Sequence, residues 1–330
     1  MVNYFSTKSF VAIITALFFS FYLLGVFWSF EPDEINIREQ VIADAKADGV
    51  TPVVGYATTT ALIRVAETLL DKPGGYLHND AMPPSVFLDN IPSWEFGALE
   101  MIRDLSLVMR QDFSRSQSQS LENKHLKSAQ PRFNIDAKNW VMPSAESEYK
   151  KAIKSLYAYR TELADVNVQG AQFYARADNL RRWLSEVQTR LGSYSQRLSA
   201  SVGREQVNTD LANEGLAQQS TRTDHQQQVK TSWWLIDNEF YEARGATWAL
   251  LHFLKAIEID FNDVLENKNA KISVQQIIRE LEDSQQAVWS PMILNGDGFG
   301  LVANHSLVMA NYISRANAAL IDLNELLNKG

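Results

Sequence analysis

The sequence contains no cysteine among its 330 residues. Disulfide bonds, thiolate zinc sites, iron–sulfur clusters and cysteine nucleophiles are therefore excluded. Histidine is scarce as well: there are five, and none of them stands in the HExxH spacing or another metal-ligand spacing. We therefore predict neither a metal site nor a cofactor, and we identify no catalytic residues.

Basic residues are too few for a nucleic-acid partner. The chain has 31 Lys and Arg against 39 Asp and Glu, a formal net charge of −8, and no long basic run. Such a surface repels nucleic acid. It also repels an anionic membrane surface, so the composition predicts that the folded domain stands off the bilayer.

Charge is missing altogether from residues 9–30, SFVAIITALFFSFYLLGVFWSF. A helix of this length spans about 33 Å and matches the roughly 30 Å hydrocarbon core of a bilayer. Phe27, Trp28 and Phe30 crowd its C-terminal end, where aromatic rings suit the headgroup level of a membrane. These bulky residues also make a poor signal-peptide cleavage site. We therefore predict a retained transmembrane anchor at 9–30 after a short cytoplasmic segment at 1–8.

The basic residues that flank the anchor are nearly balanced. Lys8 precedes it, and Arg38 and Lys46 follow it. Acidic residues barely influence topology, so they do not decide the orientation. We favour an N-terminus in the cytoplasm and a large domain outside it.

Beyond the anchor, apolar residues recur at helical spacing, and no stretch alternates as a strand would. The sequence therefore predicts an all-α fold, a single transmembrane helix followed by a bundle of long antiparallel helices. We divide the rest of the chain into a first helical part at 31–204, a polar linker at 205–229 and a C-terminal helical part at 230–330. The linker is rich in Gln, Thr, Asn and Asp.

The clearest periodicity lies in the predicted helix 171–203. Apolar residues from Phe173 to Val202 are spaced 4-3-4-3-4-3-4-4, which is a heptad seam of about four repeats. This seam at 173–202 either docks on a sister helix of the same chain or pairs two chains in a homo-oligomer. We favour in-chain packing because other long helices are available as partners.

Residues 74–94, GGYLHNDAMPPSVFLDNIPSW, form the least helical region. Three prolines and two glycines prevent a regular helix. The segment is nevertheless too apolar for a loop in water, so it must pack on the core or on a partner. The predicted partner-binding residues are Tyr76, Leu77, Phe87, Leu88, Asp89 and Trp94.

Five carboxylates cluster around this segment: Asp80, Asp89, Glu95, Glu100 and Asp104. Glu100 and Asp104 share a helix face. Two carboxylates about 5–10 Å apart would suit a glycan hydrolase. We favour the alternative, in which these residues cap a helix, pair with Arg103 or Arg64 and line a solvated face.

A helix rich in aromatic residues is predicted near the C-terminal end, with Trp233, Trp234, Tyr241 and Trp248. Core packing is the favoured interpretation of these side chains. The alternative is the wall of a pocket for a lipid or another apolar ligand.

Four stretches of the sequence are distinctive: LIRVAETLLDKPGGYLHND (62–80), VFLDNIPSWEFGALEMIRD (86–104), DFSRSQSQS (112–120) and FYARADNLRRWLSEVQTRLGSYSQRLSASVG (173–203). Together they resemble the bacterial family called domain of unknown function 2333. The resemblance covers most of residues 50–330. It implies a proteobacterial membrane protein with one N-terminal helix and a mostly helical remainder, and it implies no activity and no catalytic residues.

These observations predict a single-pass protein of the bacterial inner membrane with a helical periplasmic domain. We expect a non-enzymatic scaffold or adaptor in cell-envelope assembly or maintenance. Its expected partners are the lipid bilayer, through residues 9–30, and another envelope protein. The alternatives are a hydrolase of peptidoglycan or another envelope glycan, acting through carboxylates near 80–104, and a carrier of an apolar ligand.

Overall fold

The computed structural model describes residues 7–116, 120–165, 170–207, 226–290, 292–296 and 301–329, and these ranges hold eleven α-helices and two short strands. The helices are α1 (Thr7–Trp28), α2 (Ile37–Asp48), α3 (Tyr56–Asp71), α4 (Asn90–Val108), α5 (Lys124–Phe133), α6 (Ala145–Ala164), α7 (Ala177–Ser199), α8 (Ile236–Asp260), α9 (Asn262–Asn267), α10 (Lys271–Ser284) and α11 (His305–Asn328). The strands are β1 (Arg204–Val207) and β2 (Gln226–Val229). The predicted all-α class, with one apolar N-terminal helix and a helical bundle, is confirmed.

Helix α1 is long and apolar enough to cross a membrane over Lys8–Trp28, and only 6% of its most apolar window is buried in the protein. This description fits a membrane anchor and a signal sequence alike. Near the end of the helix, Gly25 is buried and Trp28 is half-buried against the rest of the chain.

Helices α4 and α8 lie at the centre of the bundle, and their backbones touch. A Cβ atom added to Gly97 would lie 1.9 Å from the carbonyl oxygen of Glu242. A Cβ atom added to Gly245 would likewise lie 1.9 Å from the carbonyl oxygen of Trp94. Such a close approach is open only to glycine, so these two residues set the spacing of the central helices.

The contacts between α4 and α8 are symmetric because the two helices belong to an internal repeat. Six residues of the stretch 86–113 are identical to the residues 148 positions further on: Asp89, Asn90, Gly97, Ala98, Asp112 and Phe113. Phe113 and its counterpart Phe261 meet just beyond the helix ends, with ring centroids 5.3 Å apart, so α4 and α8 run parallel. The sequence LENK then follows in both copies, at 121–124 and at 265–268.

The remaining helices follow the same order in both copies. Helix α5 packs on α6 as α10 packs on α11, and α3 packs on α6 as α7 packs on α11. The bundle is therefore two copies of a four-helix unit, joined along the parallel pair α4 and α8. The small helix α9 lies within the second copy, and α1 and α2 precede the first.

The apolar seam of α7 packs within the chain, against α11. The helix predicted at 171–203 is shorter, since it begins at Ala177 and ends at Ser199. Its buried seam residues are Leu180, Leu184, Val187, Leu191, Tyr194 and Leu198. A homo-oligomer through 173–202 would have to open this helix pair first.

The predicted linker at 205–229 contains most of an antiparallel strand pair, in which Arg204 is opposite Val229. Residues 208–225 lie outside the described part of the chain. Helices on both sides of this segment contribute to one hydrophobic core. The division into two helical parts at this segment remains a prediction.

Candidate functional site

The irregular segment 74–94 is fixed at its base by a buried ion pair. Lys72 Nζ lies 2.5 Å from the Glu95 carboxylate, and neither side chain is more than 1% exposed. Glu95 also accepts hydrogen bonds from the backbone N–H groups of Leu77, at 2.9 Å, and His78, at 2.7 Å. Burial raises the pKa of Glu95 to about 7, although Lys72 and the two N–H groups favour the charged form. This carboxylate holds the backbone of the segment in place.

Three of the six predicted partner-binding residues are buried in the core: Tyr76, Leu77 and Trp94. The Tyr76 hydroxyl donates to the Ala137 carbonyl oxygen at 3.2 Å. Trp94 packs on Trp248, with ring centroids 5.0 Å apart. These three side chains stabilise the fold and offer no surface to a partner.

The other three predicted residues, Phe87, Leu88 and Asp89, lie at the tip of the segment. Phe87 is 79% exposed, and its neighbours Met82 and Val86 are exposed as well. Leu88 is half-buried, and Asp89 is exposed. We call residues 82–89 the tip, and the accessible part of the predicted surface lies there.

The tip packs on helix α1. A Cβ atom added to Gly25 would meet Pro84 Cβ at 3.6 Å and Leu88 Cδ2 at 3.7 Å, which are ordinary contact distances. Gly25 precedes the last residue of α1, Trp28, by three positions, or about 4.5 Å along the helix axis. The tip therefore lies alongside the last turns of the apolar helix rather than beyond its end.

An apolar cavity of about 800 Å³ lies between α1 and the tip. Its walls include Phe18, Tyr22 and Gly25 of α1 and Pro84, Phe87 and Leu88 of the tip. The lining runs from Phe18 of α1 to Ser29, the residue just after the helix, which corresponds to about 16 Å, or three helical turns.

A second contact joins α1 to the base of the segment. Gly74 has a φ of +85°, and a Cβ atom there would lie 2.8 Å from the Trp28 ring. Glycine is required at this position for both reasons.

The connection between α1 and α2 is fixed to the central helix α8 by three side chains. Arg244 Nε donates to the Glu31 carboxylate at 2.6 Å. The Ile35 N–H group donates to His252 Nε2 at 2.8 Å, and Lys255 pairs with Glu34. The path of the chain out of α1 is thus set by the core of the bundle.

His252 makes its contact as a neutral imidazole. Its Nδ1 lies 2.7 Å from the Trp248 carbonyl oxygen and must donate to it, so Nε2 is left as the acceptor for Ile35. Burial lowers the pKa of His252 to about 4. The ring is neutral at neutral pH, as this hydrogen bond requires.

The carboxylates considered for a hydrolase are already engaged or exposed. Glu100 lies 2.8 Å from Arg103 and 2.6 Å from Arg190. Asp104 lies 2.7 Å from Arg190, and Glu95 holds the segment as described above. None of the five candidates lines the cavity beside α1.

His78 has a structural role within the segment. His78 stacks on Phe96 with centroids 5.4 Å apart, and burial lowers its pKa. Within the described ranges, no three His, Asp or Glu side chains are grouped to hold a metal ion.

Trp248 is buried on Trp94, whereas Trp233 and Trp234 are exposed, so these tryptophans do not enclose a pocket together. Helix α8 does line a cavity of about 370 Å³ beside α10 and α11, through Phe240 and Arg244, so the carrier interpretation remains a prediction.

The cavity beside α1 and the three side chains that hold the α1–α2 connection were not predicted from the sequence. The available signal for the cavity was Gly25, a single glycine in an otherwise bulky apolar helix. No local pattern marks Arg244, His252 and Lys255, because their partners are more than 200 residues away in the chain.

A bacterial family described as an uncharacterized protein conserved in bacteria, domain of unknown function 2333, matches residues 3–330. No curated protein and no solved structure matches the chain.

Proposed function

Since the chain belongs to the bacterial family of domain of unknown function 2333, whose description assigns no activity, we propose from the geometry that it is a membrane-anchored, non-enzymatic scaffold. In this proposal α1 is retained in the inner membrane, and the helical bundle lies on the periplasmic side. The partner is another protein of the cell envelope, and the site that receives it is the cavity between α1 and the tip.

The observation that carries this proposal is the position of the tip. Pro84 and Leu88 meet α1 at Gly25, inside the apolar span, and Phe87 extends the same apolar wall. A partner that reaches this cavity must therefore approach within the membrane. The cavity is as long as three helical turns, so we propose that its occupant is an apolar membrane-spanning helix of the partner.

The rigid connection to α8 supports a scaffold. Arg244, His252 and Lys255 hold the chain between α1 and α2, so the orientation of the bundle relative to α1 is fixed. A partner bound beside α1 is then held at a defined position relative to the bundle. The alternative of a glycan hydrolase has less support, because Glu95, Glu100 and Asp104 are bound to cationic side chains.

Site-specific crosslinking in intact cells tests the proposal. A photoreactive amino acid is placed at Tyr22 or Phe87, which line the cavity, and at Phe27 of α1, which does not line it. We expect one membrane protein to be captured from positions 22 and 87, and its crosslinked peptide to map to a membrane-spanning helix. Position 27 is expected to capture lipid.

Capture of lipid alone at positions 22 and 87, or of the same proteins at all three positions, would refute the helix-binding site.

The orientation of the chain in the membrane is tested separately by cysteine labelling, which is possible because the chain has no cysteine of its own. A cysteine at the exposed Leu121 is expected to react with a membrane-impermeant maleimide once the outer membrane is permeabilised. Reaction only after lysis would place the bundle in the cytoplasm.

A further inference from the structure

Four connections of the bundle meet at the end from which α1 emerges, which we call the α1 end. The connection 72–89, between α3 and α4, contacts α1 directly through Gly74 and the tip. The connection 134–144, between α5 and α6, lies beside it, since Asn79 Nδ2 donates to the Asn139 carbonyl oxygen at 3.0 Å.

The described parts of the connection between α7 and α8, 200–207 and 226–235, reach the same end because α8 runs parallel to α4. Helix α7 is antiparallel to both: Arg190 binds Asp104 of α4, and further along α7 Arg197 binds Glu239 near the start of α8, at 2.7 Å in each case. The end of α7 and the start of α8 therefore lie with the start of α4.

The fourth is the connection between α10 and α11, of which residues 285–290, 292–296 and 301–304 are described. Helix α10 runs antiparallel to α8, with Lys271 near Asn262 and Gln285 near Thr247. Its continuation reaches the cavity beside α1, where Ser290 contributes to the lining. Asn295 Nδ2 also donates to the Ser201 carbonyl oxygen at 2.8 Å, which joins this connection to the one between α7 and α8.

Among the described residues of the bundle, exposed aromatic side chains are confined to this end. The four tryptophans that are more than 60% exposed are Trp140, Trp233, Trp234 and Trp289, and all lie on these connections. Exposed aliphatic and methionine side chains adjoin them, including Val141, Met142, Leu235 and Met292. At the opposite end of the described bundle, the exposed large apolar residues are aliphatic: Val54, Leu121 and Ile272.

We propose that the α1 end of the bundle is a lipid-contacting face, with Trp140, Trp233, Trp234 and Trp289 seated in the interfacial layer of the bilayer that α1 crosses. Tryptophan is enriched at this level of membranes because its ring is apolar while its N–H group remains hydrated. The bilayer is the occupant because the tip on the same end already lies beside the last turns of α1. This inference rests on the proposed anchorage by α1, but it does not require the scaffold role.

The attraction between the α1 end and the bilayer is apolar rather than electrostatic. The charged residues of these connections carry both signs, among them Asp80, Asp89, Asp136, Lys138 and Lys230. The acidic net charge predicts a domain that stands off an anionic surface, whereas zwitterionic lipid offers no such repulsion. A phosphatidylcholine bilayer isolates this apolar contribution, and it is the probe we choose.

The full chain, which has no cysteine, is prepared with one labelled cysteine at a time. Trp140→Cys, Trp234→Cys and Trp289→Cys carry an environment-sensitive fluorophore at the α1 end, and Leu121→Cys carries it at the opposite end. Each variant is placed in phosphatidylcholine nanodiscs at one copy per disc. Quenching by aqueous iodide is compared with quenching by a nitroxide in the acyl chains.

We expect the three labels at the α1 end to be protected from iodide roughly fivefold relative to position 121, because interfacial side chains lie about 5–10 Å below the headgroup boundary. We also expect them, but not position 121, to be quenched by the lipid nitroxide. Met142→Cys and Met292→Cys provide further positions on the same connections should a tryptophan variant fold poorly.

Iodide quenching at the α1 end that equals the quenching at position 121 overturns the inference while the anchorage stands. Protection that appears only in discs with two copies also overturns it, since the occupant is then a second chain. A chain that does not co-elute with the discs overturns the anchorage itself, and the inference with it.

Discussion

Replacing Gly97 by alanine tests the backbone contact between α4 and α8. The new Cβ atom would lie 1.9 Å from the Glu242 carbonyl oxygen and 2.9 Å from the Ala246 nitrogen. Carbon approaches a carbonyl oxygen to about 3.3 Å, so the two helices must move apart by roughly 1.4 Å. Both obstructing atoms belong to the backbone and cannot rotate away as the end of a side chain can.

Two opposing effects determine the change in the free energy of unfolding. Overpacking in a filled core typically costs about 1–3 kcal/mol, and a gap of this width removes at least about half of the dispersion energy of each contact that it opens. Alanine in a helix interior recovers about 0.5–1 kcal/mol relative to glycine. Because both obstructing atoms are backbone atoms, we take the upper end of the overpacking cost and expect Gly97→Ala to lower the free energy of unfolding by about 2 kcal/mol.

The internal repeat makes the test sharper. Gly245→Ala obstructs the Trp94 carbonyl oxygen at the same 1.9 Å, so its cost should be similar. One separation of the helices relieves both obstructions. The double variant is therefore expected to cost less than the sum of the single variants, by about 1 kcal/mol or more.

The assay is chemical unfolding of the full chain in detergent micelles, followed by far-UV circular dichroism. Gly192→Ala in α7 is the matched control, since its Cβ atom would find its nearest neighbour, Asn317 Nδ2, at 3.9 Å. The free energy of unfolding of that variant should rise by about 0.5–1 kcal/mol. The reasoning would be refuted by a Gly97→Ala chain as stable as the control. It would also be refuted if the stability losses of the two single variants added fully in the double variant.

Three further predictions concern buried titratable groups, each measured as the urea midpoint of the full chain in detergent. His252→Leu removes the acceptor for the Ile35 N–H group and should cost about 1–3 kcal/mol, while His252→Gln should recover part of this loss; equal midpoints for the two variants would contradict the role of the hydrogen bond. Lys72→Met leaves the Glu95 carboxylate buried without its cation and should cost about 3–5 kcal/mol, and adding Glu95→Gln should restore much of it; a double variant less stable than Lys72→Met would argue against the ion pair. Burial raises the pKa of Asp260 to about 6, so the folded chain binds the carboxyl proton more tightly than the unfolded chain does. The stability of the chain relative to Asp260→Asn should therefore fall as the pH rises from about 4 to about 6. A stability difference that stays constant or rises over that window would contradict this prediction.

The fold class and the apolar N-terminal helix could be predicted from the sequence because both depend on local periodicity. The buried side of α7 was predicted for the same reason, since the spacing of Leu180, Leu184 and Leu191 reports one helix face. The assignment of segment 74–94 is different. Its apolar residues are split between the core and the tip, as Leu77 and Phe87 show, and no periodicity in an irregular segment tells the two apart.

The internal repeat was present in the sequence and was missed. Its strongest signal is the recurrence of LENK and of the pairs Asp-Asn, Gly-Ala and Asp-Phe, which a comparison of the chain with itself would find. The contacts of α8 with the α1–α2 connection could not have been found in this way. Arg244 and His252 reach Glu31 and Ile35 across more than 200 residues, so only the folded chain brings them together.

The repeat also explains why exposed tryptophans meet at one end. When two copies of a unit join along parallel helices, corresponding connections of both copies lie at the same end of the bundle. Trp140 and Trp289 occupy corresponding connections, before α6 and before α11, and each is followed within three residues by a proline. The tip at Phe87 likewise corresponds to Leu235, which follows Trp234 and precedes α8. The tip belongs to a connection of the first copy. If that connection meets the bilayer beside α1, the corresponding connection of the second copy must lie at the same depth. The polar N–H groups and apolar rings of these tryptophans suit that depth.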